Sequence, residues 1–215
     1  MRHSTPKTAL IAAIFAVVCM LWGTGVQAAK PDLGDEAGAF VRRFMAQADI
    51  LLADKALAPS DRSQVFRGLL ATGFDIDVIS RYILEDHWYE ATPEERDAFR
   101  RLFADYLFTV YEEHLGNFDG LQLEVVAARQ KGNKGAQVRS RLSDASNGAA
   151  LNVEWRLWQA RGGWRIVDVL VQGVSLVKAY REQFASLVGA AEGNVASILN
   201  ALRDIAPAAG TPTAN

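Results

Sequence analysis

Ala149-Ala150-Leu151-Asn152-Val153-Glu154-Trp155-Arg156-Leu157-Trp158 and, after the turn Ala160 to Gly163, Trp164-Arg165-Ile166-Val167-Asp168-Val169-Leu170-Val171 are the two runs that decide the fold. In the first, Leu151, Val153, Trp155 and Leu157 share one parity, while Asn152, Glu154 and Arg156 take the other. This alternation is that of a strand with one buried face. In the second run both parities are partly apolar, Trp164, Ile166 and Leu170 against Val167, Val169 and Val171, so both faces are expected to be at least partly covered. Working upstream, Gly135 to Leu142 is strand-like, and Leu121, Leu123 and Val125 alternate in a further run. Gly132 to Gly135 and Ser143 to Gly148 supply the other turns. Such short connections require antiparallel pairing, because a parallel crossover needs a dozen residues or more. The expectation is a four-stranded antiparallel meander.

Helical periodicity flanks these strands on both sides. Between Gly34 and Leu52, Phe40, Val41, Phe44, Ala48, Leu51 and Leu52 recur at helical spacing, with Asp32 or Asp35 available as a cap. A second helix follows Ser60, carries Val65, Phe66, Leu69 and Leu70, and is expected to end at Gly73 in a left-handed conformation. Asp75 caps a short helix with Val78, Ile79, Tyr82 and Ile83. Thr92-Pro93-Glu94-Glu95 combines a capping hydroxyl, a proline in the first turn and a glutamate three residues on, the mark of a helix start. From there Phe99, Leu102, Phe103, Tyr106, Leu107, Val110, Tyr111 and Leu115 form a wide apolar stripe up to Gly116. Past the strands, Ser175 caps a helix with Leu176, Tyr180, Phe184, Leu187 and Val188, and Asn194 caps a last one with Val195, Ile198, Leu199 and Leu202. Helices packed on one antiparallel sheet make an α+β fold.

The N-terminus reads as an export signal. Arg2 and Lys7 precede an apolar run, Ala9 to Trp22, and Val26-Gln27-Ala28 presents small residues where a signal peptidase cuts, so residues 1–28 are expected to be removed. The run is shorter than the roughly 20 residues a membrane span needs. Cys19, the one cysteine, goes with the signal and follows Val18, which does not suit lipidation; no disulfide or thiol chemistry is left to the mature chain. Residues 29–205 are expected to form a single domain, and residues 206–215, rich in Ala, Pro, Thr and Gly, a disordered tail. Loss of Arg2 and Lys7 takes the formal charge from −2 to −4, which argues against nucleic acid as a partner.

The apolar parity of the Ala149 to Trp158 strand and the stripe of the helix after Pro93 suffice to line a pocket between sheet and helices. They equally suffice for a solid core. What favours the pocket is a resemblance. Gly163-Trp164-Arg165-Ile166-Val167-Asp168-Val169-Leu170-Val171-Gln172-Gly173-Val174-Ser175-Leu176-Val177, followed by Tyr180-Arg181-Glu182-Gln183-Phe184, resembles the signature of the MlaC family, the toluene-tolerance auxiliary component of an ABC transporter. Gly73-Phe74-Asp75, Trp88, Thr92 to Arg96, Phe99 and Tyr111 extend the resemblance across most of the mature chain. Two positions depart from the family pattern: Leu84-Glu85-Asp86-His87 stands where a Leu-Gly pair is usual, and Gln172-Gly173 where Glu-Gly is common.

The resemblance implies a periplasmic carrier with a cone-shaped fold like that of nuclear transport factor 2. It would hold phospholipid tails in an apolar cavity and shuttle them between outer and inner membranes. The implied partners are an inner-membrane ABC transporter complex and an outer-membrane lipoprotein, with a monomer expected and no cofactor. A sister group handles hopanoids, so the ligand stays open between the two. Burying each acyl CH₂ contributes about 0.8 kcal/mol, enough for affinity without any catalytic group. Parity and position around the signature select Phe103, Tyr106, Val110, Val125, Val153, Trp155, Val169, Val174 and Leu176 as wall residues.

Other chemistry is weaker. Gly173-Val174-Ser175 lies between strand and helix like a hydrolase elbow, but Val177 stands where the motif needs a second glycine, so Ser175 reads as a helix cap. Asp168, a mid-strand carboxylate, is either a general base of a small-molecule enzyme or a clamp, paired with Arg181 or with backbone donors at the Ser175 helix. The clamp is the simpler reading. Trp155, Trp158 and Trp164 lack the basic groove that base stacking accompanies and read as core or pocket wall. His87 and His114 have no partners at metal-ligand spacing.

Overall fold

The structure is a computed structural model that describes residues 32–52, 56–111, 121–144, 148, 150–190 and 194–205. The expected export signal, His114, Leu115, Gly116 and the tail from residue 206 lie outside these. Among the described residues five helices come first: α1 (Leu33–Leu52), α2 (Pro59–Gly73), α3 (Ile76–Leu84), α4 (Asp86–Glu90) and α5 (Pro93–Tyr111). Then follow β1 (Leu121–Lys131), β2 (Gly135–Asp144), β3 (Ala150–Ala160), β4 (Gly163–Val171) and β5 (Val174–Ser175), and last α6 (Leu176–Ala190) and α7 (Val195–Ile205).

The sheet runs in the order β1-β2-β3-β4-β5 with antiparallel pairing throughout, one strand more than the sequence suggests. The extra strand is short because Gln172 (φ 51°) and Gly173 (φ 85°) make a two-residue turn that folds Val174 back onto Val171. Two successive positive φ angles twist a hairpin in the sense of its strands.

Both parities of β4 are apolar for a reason the register reveals. Arg156 pairs with Asp168 and Leu157 with Ile166, so Val167 is an extra residue, a β-bulge that switches the alternation. Trp164 and Ile166 before the bulge, and Val169 and Val171 after it, therefore share the face of Trp155 and Leu157. Val126 does the same in β1, where Val125 pairs with Ser140 and Ala127 with Arg139. Leu151, expected inside, is 43% exposed.

Helix α1 lies across this face. Ala37 and Val41 are fully buried against Val138, Trp155 and Ile166, and Gly34 and Gly38 let the helix approach β1 closely, since a Cβ on Gly34 would sit 2.9 Å from the Arg129 Cα. A second core joins α3, α4, α5, α6 and α7 through Ile83, Trp88, Phe99, Phe103, Phe184, Ile198 and Leu202. Leu69 of α2 and Phe108 of α5 form a third, smaller cluster with Phe44 and Phe66.

The helix starts follow the sequence. Thr92 Oγ1 accepts from the Glu95 backbone N–H at 3.2 Å while Glu95 Oε2 accepts from the Thr92 N–H at 2.9 Å, a reciprocal box. The Val78 N–H donates to Asp75 Oδ1 at 3.0 Å, and the same carboxylate accepts from Trp158 Nε1 at 2.8 Å, tying α3 to β3. Helix α2 ends at Gly73 as expected, but Gly73 is not in a left-handed conformation. The residue after α2, Phe74, is extended (φ −107°), and Gly73 is needed instead because the Phe44 ring occupies the space of its Cβ.

Helix α4 has no counterpart in the sequence reading. Glu85 at φ 48°, ψ −121° breaks the chain between α3 and α4 and turns Trp88 into the core. The guanidinium carbons of Arg81, Arg96 and Arg100 stand 5.8, 5.3 and 5.3 Å from the Trp88 ring, and Arg96 Nε also donates to the Trp88 carbonyl at 2.7 Å.

Candidate functional site

Between the sheet face and the helical core lies a cavity of about 570 Å³, within the size range of small-molecule sites. Its floor is Leu123, Leu142, Trp155, Asp168 and Val169 of the sheet. Phe44, Met45 and Ala48 of α1 and Phe66, Leu69 and Leu70 of α2 form one side; Phe103, Leu107 and Tyr111 of α5 with Leu176, Val177 and Tyr180 of α6 form the other. Phe74, Ile76 and Ile79 close the end towards α3. Arg42, Ala46 and Asp49, all on one face of α1 and all exposed, mark the rim open to solvent.

The wall is held by a few well-placed polar groups. Trp155 Nε1 donates to the buried Ser140 hydroxyl at 2.9 Å, and that hydroxyl donates in turn to the Val153 carbonyl at 3.3 Å, so the indole presents its hydrocarbon to the cavity with its N–H satisfied. Tyr111 and Tyr180 share a hydroxyl–hydroxyl hydrogen bond of 2.9 Å joining α5 and α6. Burial first, and then this bond, push the Tyr180 phenol well above the ordinary tyrosine range, so it stays neutral and uncharged inside the wall. Tyr180 also meets Phe103 edge-on at 5.5 Å within an aromatic group completed by Tyr106 and Phe184.

Of the wall residues selected from sequence, Phe103, Trp155, Val169 and Leu176 line the cavity. Tyr106, Val125 and Val153 lie one layer behind it, Tyr106 in the helical core with its hydroxyl accepting from the Gln183 amide at 3.0 Å, Val125 and Val153 in the sheet core. Val110 and Val174 stand apart, 40% and 61% exposed. Val110 falls off the buried arc of α5, and Val174, the first residue of β5, faces solvent. The contribution of α1 and α2 was missed, because a periodic apolar stripe does not say whether it meets side chains or empty space.

Asp168 is a clamp by geometry. Its Oδ2 accepts from the Ser175 hydroxyl at 2.8 Å and pairs with Arg156 at 3.3 Å, and its Oδ1 accepts from the Val177 backbone N–H at 3.3 Å. The cation is Arg156 across the strand pair, not Arg181, which pairs with Glu85 at 2.7 Å. Ser175 Oγ accepts from the Lys178 N–H at 3.1 Å, the cap expected for α6. Both carboxylate oxygens are thus committed to joining sheet and helix.

Fold and cavity together define an α+β protein built around an apolar pocket. The chain belongs to the MlaC family: the family's sequence model, described as MlaC protein, matches residues 46–204. It is 30% identical over 118 residues to the toluene tolerance protein ttg2D of Pseudomonas putida, covering 54% of each chain. It is 22% identical over 124 residues to the intermembrane phospholipid transport system binding protein MlaC of Haemophilus influenzae, covering 56% of this chain and 58% of that one. The match thus spans little more than half the length of these curated relatives. Among solved structures, the phospholipid-binding protein from Ralstonia solanacearum in complex with a phospholipid shares the fold, with a TM-score of 0.70 at 20% identity over 79% of this chain and 96% of that one.

Proposed function

We propose that this chain is a lipid carrier that takes phospholipid tails into the cavity between sheet and helices. The observation that carries the reading is the cavity itself: about 570 Å³, walled by aliphatic and aromatic side chains and open to solvent along one face of α1. Its apolar wall suits acyl chains, whose burial supplies about 0.8 kcal/mol per CH₂. The headgroup stays in water. The names of the relatives, phospholipid transport and phospholipid binding, support the same ligand class. In this reading residues 1–28 direct export to the periplasm and are removed, and residues 29–205 act as one cone-shaped domain. The carrier runs as a monomer between an outer-membrane lipoprotein and an inner-membrane ABC transporter complex. Phe103, Trp155, Val169 and Leu176 touch the tails; Tyr106, Val125 and Val153 support them from behind.

Transfer of a fluorescent phospholipid between donor and acceptor vesicles tests the reading. The purified chain should accelerate transfer in proportion to its concentration, and Ala48→Trp, which drives an indole into the cavity, should abolish the acceleration while the protein stays folded. Transfer unaffected by the plug would place any lipid elsewhere on the protein and sink the proposal.

A further inference from the structure

The rim of the cavity carries one cationic side chain. Arg42 lines the cavity and is exposed, and among the described lining residues it is the sole cation. Arg67, Arg100, Arg156 and Arg181 each hold a carboxylate. Arg42 forms no hydrogen bond or ion pair with any described residue. A guanidinium left free at the edge of an apolar chamber is positioned for an anion that arrives with the ligand, and its planar fork matches phosphate oxygens two at a time. Asp49 also lines the rim, two turns further along α1 and roughly 10 Å away along the helix axis. Its carboxylate repels an anion at its own end of the mouth, so the negative group is directed to the Arg42 end.

Resting on the carrier reading above, we propose that Arg42 recognises the phosphate of the bound lipid and makes the mouth select phosphate-bearing amphiphiles over neutral ones with the same tails. Asp49 sets the direction in which the head lies. The selection is electrostatic and partly screened by water at the rim, so its size is a modest factor rather than an absolute requirement.

The test is competition binding to the delipidated chain, with a fluorescent fatty-acyl probe displaced by phosphatidylethanolamine, by diacylglycerol of the same chain lengths, or by glycerol 3-phosphate. The wild-type chain should prefer the phospholipid. Arg42→Gln should weaken phosphatidylethanolamine roughly threefold to tenfold and leave diacylglycerol unchanged. With phosphatidic acid, whose head bears phosphate and no ammonium group, Asp49→Asn should shift the ratio the other way. An unchanged ratio in Arg42→Gln, or equal loss of both lipids, would overturn the assignment. Displacement by glycerol 3-phosphate as strong as by the phospholipid would also overturn it, by revealing a site for free phosphate. A wild-type chain that binds neither lipid would instead defeat the carrier reading, so the two failures are distinguishable.

Discussion

Ser175 and Asp168 are joined by a 2.8 Å hydrogen bond that closes the tight turn between β4 and β5 and fixes the start of α6 to the sheet. The same carboxylate takes a backbone N–H from Val177 and faces Arg156. Because Leu176, Val177 and Tyr180 of α6 line the cavity, this clamp positions one of its walls. Asp168→Asn keeps the volume but loses the ion pair and one acceptor, at a cost of about 1–2 kcal/mol with Arg156 half in water. Thermal unfolding followed by circular dichroism should register a drop of a few degrees, while phospholipid binding persists in the folded variant. Intact stability with loss of turnover of some substrate would instead revive a catalytic Asp168.

Glu85 holds a backbone conformation that suits glycine, φ 48° and ψ −121°, and compensates with an ion pair to Arg181. A residue with a side chain in such a region costs about 1–3 kcal/mol, whereas an exposed ion pair contributes under about 1 kcal/mol. Glu85→Gly is therefore expected to raise the unfolding midpoint and Glu85→Ala to lower it, since alanine keeps the strain and loses the pair. If both lower it equally, the ion pair outweighs the backbone term.

Gly73→Ala puts a methyl group into the space of the Phe44 ring, which stacks on Phe40 at 6.1 Å and meets Phe74 edge-on at 5.7 Å. Overpacking of this kind costs about 1–3 kcal/mol. As Phe44 and Phe74 both line the cavity, the variant should lose stability and bound lipid together, measurable by denaturant unfolding and by phosphorus assay of the purified protein.

Tyr180 gives the stability a dependence on alkaline pH. Its folded pKa lies above the unfolded value of 10.0, so the unfolded state releases the proton first. The contribution of this group is fully present below about pH 10 and is lost as the pH climbs above it. Tyr180→Phe should cost about 1 kcal/mol at neutral pH, by leaving the Tyr111 hydroxyl without its partner, yet flatten the alkaline fall in denaturant midpoint between pH 10 and 12. An identical alkaline slope in the two proteins would assign it to other groups.

Much of this architecture is legible in the sequence, because it rests on local signals of known geometry. Thr92 to Glu95 caps a helix, Ser175 and Asp75 cap others, and the alternation around Trp155 marks a sheet face. Features set by a single backbone angle or by register were not legible. Val167 looks like any strand residue until its partners show it to be the extra one, and Glu85 gives no hint that it will adopt a positive φ and release α4. The cavity itself was open between wall and solid core, since Phe103 and Phe184 carry the same apolar signal although the first faces the chamber and the second fills the core beside it. Nor does helical spacing say that Phe44, Leu69 and Leu70 come together across α1 and α2 to complete the wall.

The most direct test of a lipid-filled cavity is mass spectrometry of an organic extract from the purified chain, alongside an unrelated exported protein prepared identically. The account predicts near-stoichiometric phospholipid in the extract of this chain, well above the control and much reduced in Ala48→Trp. A hopanoid in its place would keep the cavity and change the ligand. No lipid above the control would contradict the account.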